Sequence, residues 1–204
     1  MSPASPDNDR PWLRPPVIVK VGGSLLDWPE LSNRLQRYLA TFPGANILLI
    51  PGGGPTADVI RQFDLCHCLG EEDSHWLALR SLALNARVLQ RLLPGSQVVD
   101  GLNAARSCWR RGATPILDMY CFTRGDESRP DHLPHVWQVT SDSLAARVAI
   151  VAKATRLVLL KSKDPPGEDN WEDAAKAEYV DSWFTNTIES ARFCVQPINL
   201  RTWT

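Results

Sequence analysis

The chain of 204 residues has no stretch apolar for long enough to span a bilayer, and its polar, proline-rich beginning, MSPASPDNDRPWLRPP, lacks the apolar centre of a secretory signal. A cytoplasmic protein is expected. A dominant sign of charge is missing too, since 22 lysines and arginines stand against 23 acidic residues. With a net charge of -1 there is no field to gather nucleic acid or an anionic membrane, and neither is expected as a partner. The five cysteines are odd in number and have no framework spacing, which fits reduced thiols better than disulfides. Cys66, His67 and Cys68 are neighbours in the chain, point in different directions and have no second ligand pair. A helix-end loop is expected there, and no metal held by protein side chains.

Lysine is also scarce, with five against seventeen arginines. One of the five, Lys20, sits inside an apolar run, VIVKVGGSLL, between Val19 and Val21. An apolar strand ending in a cation, followed by glycines that let backbone approach a ligand, is an arrangement suited to phosphate. A second glycine loop, Pro51-Gly52-Gly53-Gly54-Pro55, follows the apolar run Asn46 to Ile50. The standard nucleotide signatures are absent. No Gly-Lys pair exists, which excludes a P-loop; neither loop supplies G-x-G-x-x-G; and H-R-D and D-F-G are missing.

Residues 1–16 read as an arm and 17–204 as a single domain, large enough for one core. The pattern predicts a strand over 17–21, a helix over 28–42 with Pro29 in its first turn, a strand over 46–50 and a helix over 56–63. A long helix is expected over 73–93, short strands at 98–99 and 116–117 with a helix over 102–111 between them, and a polar surface loop over 119–136. A helix over 140–153 and a strand over 156–160 follow, then weak helices at 172–177 and 182–191 and a last strand near 193–198. Strand, glycine loop and helix occur twice, so both loops belong at the carboxyl edge of a mainly parallel sheet in a three-layer α/β/α sandwich.

Four motifs in order, Val-Lys-x-Gly-Gly-Ser, Pro-Gly-Gly-Gly, Ser141-Asp142-Ser143 and Leu-Leu-Lys161-Ser162-Lys163-Asp164, cover residues 17–167 and together resemble the amino acid kinase family. PGGGPTADVIRQFD, Asp73-Ser74-His75-Trp76, WQVTSDS and the closing Asn199-Leu200-Arg201 are similar to a small branch of it. That branch includes the aminomethylfuran-phosphate kinase of methanofuran synthesis and bacterial relatives. The resemblance implies ATP and magnesium as cofactors, the metal being held by ATP phosphates, a small-molecule acceptor and a homo-oligomer. It places Lys20 against the transferred group, with Asp142 orienting the lysines. Gly22, Gly23, Ser24, Lys161, Ser162 and Asp164 fall on the nucleotide side, and Gly23 would leave room for a phosphate.

On the acceptor side the resemblance places Gly52, Gly53, Gly54, Asp73, His75, Trp76, Ser141 and Ser143. Glu71, Glu72 or Asp73 would meet an acceptor amine, Trp137 would form a wall, and His75 is expected to face away from the apolar stripe of its helix. The family's second catalytic lysine, in a loop near the carboxyl end, has no counterpart after Asp164. Lys161 or Lys163 replaces it, or arginine does, or activity is lost. The implied function is phosphoryl transfer from ATP to a small phosphomonoester, such as an aminomethylfuran phosphate; the alternatives are a kinase for a carboxylate or carbamate acceptor and a non-catalytic nucleotide-binding or regulatory member of the fold.

Overall fold

The computed structural model describes residues 14–167 and 170–204, so the expected amino-terminal arm falls almost wholly outside the described residues. Among the described residues six strands form one parallel sheet: β1 (Val17–Val21), β2 (Ile47–Pro51), β3 (Ser96–Val99), β4 (Thr114–Leu117), β5 (Arg156–Lys161) and β6 (Cys194–Asn199). Their order is β3-β4-β2-β1-β5-β6, which leaves β1 at the centre between β2 and β5. Eight α-helices accompany them among the described residues: α1 (Leu31–Leu39), α2 (Pro55–His67), α3 (Glu71–Leu92), α4 (Leu102–Arg110), α5 (Met119–Asp126), α6 (Ser141–Val151), α7 (Trp171–Lys176) and α8 (Phe184–Ile188).

Strand alternation divides the interior into two cores, one on each face of the sheet. Ile18, Leu48, Ile50, Leu157 and Leu159 pack with apolar residues of α4, α5, α6 and α8. Val17, Val19, Val21, Leu49, Val158 and Leu160 pack against α1 and the second half of α3. Central strands covered on both faces read as continuous apolar runs, which is why β1, β2 and β5 were visible in the sequence. The same alternation decides where the lysines point. Lys20 lies two residues from Ile18, and Lys161 two from Leu159, so both belong to the α6 face.

Four boundaries differ from expectation for local reasons. Pro29 stays outside α1, because Trp28 and Leu31 donate to carbonyls three residues back and form tight turns before the helix begins. Helix α2 runs on to His67 and ends at Cys68 in a left-handed conformation, φ 52°. Most of the C-terminal helix expected over 182–191 shortens to Phe184–Ile188. The segment 119–136, expected as a loop, opens with α5: Asp118 accepts from the Cys121 amide at 3.0 Å, and Met119 and Phe122 enter the core.

One charge of that segment, Asp126, is buried by pairing, while Asp131 reaches the same arginine from the surface. Arg147 of α6 meets Asp126 through Nε at 2.7 Å and Asp131 through Nη1 at 2.6 Å, anchoring the strap that follows α5. No helix among the described residues is long and apolar enough to cross a membrane.

Candidate active site

The site lies at the carboxyl edge of β1, β2 and β5. Lys20 is buried, 3% exposed, and its Nζ stands 2.8 Å from Asp142 Oδ1 as an ion contact outside hydrogen-bond alignment. Lys161 donates to Asp142 Oδ2 at 2.6 Å and to the Tyr179 carbonyl at 2.7 Å. One carboxylate therefore holds two ammonium groups that strand alternation brings to the same face. Burial alone would raise the Asp142 carboxyl's pKa, but Lys20 and Lys161 outweigh it and hold the group below its ordinary range. Lys161 is pushed down to about 8, first by burial and then by the positive charge of Lys20, against the pull of Asp142.

Asp142 is held in place from the far end of the chain. Thr140 caps α6, and Asp181 collects the Thr140 amide at 3.1 Å, the Thr140 hydroxyl at 2.7 Å, the Ser143 amide at 3.0 Å and the Ser143 hydroxyl. Residues 179–181 thus brace Lys161 through a carbonyl and the helix carrying Asp142 through a carboxylate. Sequence reading missed Asp181. Asp-Ser before Trp183 looked only like a weak helix start, and nothing in it names a partner 38 residues earlier.

The two glycine loops meet back to back. A Cβ on Gly23 would lie 2.1 Å from the Gly54 amide nitrogen, and Gly54 adopts φ +54° beside the Gly23 carbonyl. The room expected at Gly23 for a phosphate is therefore taken by Gly54 backbone. Asn85, buried within α3, fixes the second loop by reaching the carbonyls of Gly52 at 2.8 Å and Gly53 at 2.7 Å.

On the β5 side, the Ser24 and Ser162 hydroxyls are 2.8 Å apart and the Gly22 amide donates to the Leu160 carbonyl. Asp164 accepts from Asn199 Nδ2 at 3.0 Å, and Arg201 donates to the Ser24 carbonyl at 3.2 Å. These contacts give the closing Asn199-Leu200-Arg201 a physical role: it ties the loops after β1 and β5 together.

On the other side of Lys20 opens a cavity of about 240 Å³. Gly23, Gly53, Gly54, His75, Ser141 and Trp137 line it, with Leu79, Leu82, Val136, Val139 and Leu144 as apolar walls and Asp58 and Arg61 as charged groups beside Lys20. Arg61 pairs with Asp58 at 2.8 Å and lies 5.2 Å over the Trp137 ring, whose Nε1 donates to Asp64 at 2.8 Å. Asp58 and Arg61 were missed, although the i, i+3 spacing directly after the glycine loop sets them on one helix face.

Several expected acceptor residues stand elsewhere. Ser143 does not reach the cavity, because its hydroxyl and amide are given to Asp181. Asp73 is exposed outside the lining, and Trp76 turns its Nε1 to Glu72 at 2.7 Å and its ring to Tyr120 and His135. Glu72 is engaged there and by His135, which leaves Asp58 as the carboxylate in the cavity lining. His75, expected to face away from the packed stripe, is in fact 6% exposed. The strap after α5 covers it, and its ring stacks on His135 at 4.6 Å. Burial, then the charge of His135, pushes His75 down to about 4, so a neutral imidazole lines the cavity near neutral pH.

The family model described as the amino acid kinase family matches residues 15–165. The [5-(aminomethyl)furan-3-yl]methyl phosphate kinase of Methanocaldococcus jannaschii is 26% identical over 148 residues, 72% of this chain and 66% of that enzyme, just under two thirds of its length. The acetylglutamate kinase of Endomicrobium trichonymphae is 26% identical over 174 residues, covering 71% of this chain and 70% of that one. The fold is shared with the uridylate kinase of Archaeoglobus fulgidus, TM-score 0.63 at 16% identity over 90% of both chains. It is shared also with the UMP kinase of Ureaplasma parvum, TM-score 0.62 at 12% identity over 91% of both. The chain belongs to the amino acid kinase family.

Proposed function

We propose that residues 17–204 form one kinase domain that transfers the γ-phosphoryl group of ATP to a small phosphomonoester with an apolar ring, of the aminomethylfuran phosphate class. The observation that carries this reading is Asp142 held between Lys20 and Lys161, with Lys20 also lining the cavity. Phosphoryl transfer spreads negative charge over three equatorial oxygens, and catalysis is mainly positioning and charge stabilisation. Two ammonium groups against one carboxylate leave one net positive charge for that task. Lys161, paired with the same carboxylate as Lys20, would stand in for the missing carboxyl-terminal lysine, which supports a catalytic over a non-catalytic reading.

Magnesium bound with ATP would supply positive charge to offset that of the phosphates. Asp142 is committed to two lysines and Asp164 to Asn199, so this chain's own part falls to its cations and to the loop amides of Gly23 and Ser24, the Gly22 amide being given to Leu160. The cavity's apolar walls favour a ring over a dicarboxylate. Arg61 is placed to meet the acceptor's phosphate, Asp58 its amine, and His75 a polar edge of the ring.

The free cysteines accord with a cytoplasmic setting. Exposed Leu77, Leu84 and Val88 of α3, beside Val59 and Phe63 of α2, supply an apolar face for self-association. Incubation with γ-labelled ATP and a panel of acceptors tests the function. Label in the furan diphosphate supports it; label only in acetylglutamate, carbamate or uridylate refutes the acceptor class.

A further inference from the structure

We propose that Glu127, His132 and His135 form a zinc site on the strap that follows α5, apart from the catalytic edge. Their donor atoms all lie within 4.8 Å of one another. His135 Nε2 is 2.9 Å from Glu127 Oε1, and His132 Nδ1 is 3.9 Å from the same oxygen. Three donors about 2.1 Å from a tetrahedral zinc stand roughly 3.4 Å apart, so small side-chain rotations close the set. The His132 ring, which now meets the Leu133 carbonyl at 3.0 Å, is exposed and has room to turn.

His135 is already oriented as a metal ligand. Glu72 on α3 meets its Nδ1 at 2.7 Å, the carboxylate-histidine pairing that fixes which ring nitrogen faces a metal. Stacking on His75 holds the ring plane. Two imidazoles and one carboxylate are a donor set suited to zinc, with water in the fourth position. On binding, the proton between His135 Nε2 and Glu127 leaves to solvent, and both lone pairs turn to the ion.

The site would brace one wall of the cavity. Arg147 pins the start of the strap through Asp126 and Asp131, while Val136 and Trp137, directly after His135, line the cavity. A bond network from Glu127 to His135 through zinc closes the strap on itself, with Glu72 joining it to α3. Zinc binding does not depend on the kinase reading.

The test uses the metal-free full chain and zinc in competition with a chromophoric chelator. One zinc per chain is expected, weakened at least about tenfold in His132→Ala and in Glu127→Gln. Cobalt in place of zinc should give d–d bands without a thiolate charge-transfer band. Zinc should also slow amide exchange over residues 127–137 in the parent and not in His132→Ala. No binding, binding indifferent to both variants, or a thiolate band placing the ion at Cys66 and Cys68 would overturn the site; unchanged exchange would overturn the bracing.

Discussion

The ammonium of Lys161 should set the alkaline limit of activity. Its pKa of about 8, against an ordinary value of 10.5, follows from burial and from Lys20 sharing the same carboxylate. If the charged form is needed, kcat/KM for ATP, which reports the free enzyme, falls with unit slope above about pH 8. It should be about tenfold lower at pH 9 than at pH 7, in a range where phosphate groups, ionising near 6, no longer titrate. Lys161→Arg keeps the charge, so its profile should stay flat through this window even if its activity is lower. Lys161→Met removes one stabiliser of charge that develops in transfer, a loss of about 100- to 1,000-fold, or roughly 3–4 kcal/mol.

Stability supplies a second readout. A base whose folded pKa is depressed binds fewer protons folded than unfolded between about pH 8 and 10.5. Stability therefore rises with pH across that window, and the rise should vanish in Lys161→Met. A kcat/KM profile flat to about pH 10, or turnover in Lys161→Met within about threefold of the parent, would refute the role of this cation.

Asp181→Asn should lower kcat by about tenfold or more while leaving ATP affinity within a few fold, because it loosens Asp142 without removing a charge that meets substrate; equal losses in both would point to simple misfolding. Arg147→Met leaves Asp126 buried and answered by the half-exposed Arg129 at 3.2 Å, and should cost about 3 kcal/mol in urea unfolding. Buried neutral His75 binds no proton until about pH 4, whereas its unfolded form protonates near 6.5. Acid should therefore erode stability between those values, and His75→Gln should flatten that part of the profile. Gly23→Val drives a branched side chain into Gly54 backbone, so it should lower the melting temperature in the absence of ATP; an unchanged melting temperature would deny the loop contact.

The parallel sheet was legible because β1, β2 and β5 are short apolar runs with glycine or lysine at their carboxyl ends. Lys20, Asp142 and Lys161 were named from motifs, and strand period explains why they converge: residues two apart on neighbouring strands share a face. What the sequence could not display were the partners that depend on distant chain. Asp181 beneath α6, Asn85 beneath the glycine loop and Arg147 beneath the strap are polar residues inside otherwise ordinary helical or turn patterns. Their roles exist only once elements tens of residues apart are packed. The segment 119–136 was read wholly as a polar surface loop because of its charges; residues 127–136 are loop, but α5 opens the segment, and Asp126 and Asp131 answer one buried arginine. His75 was misjudged for the same reason, since its helix position ignored a second layer folding over it.

Single-turnover transfer of label from γ-labelled ATP to an aminomethylfuran phosphate, compared between the parent, Lys20→Ala and Asp142→Asn, tests the central claim most directly. The two lysines sharing Asp142 predict transfer by the parent and a loss of at least about 100-fold in each variant, with ATP binding far less affected. Transfer that proceeds equally in all three would contradict the account.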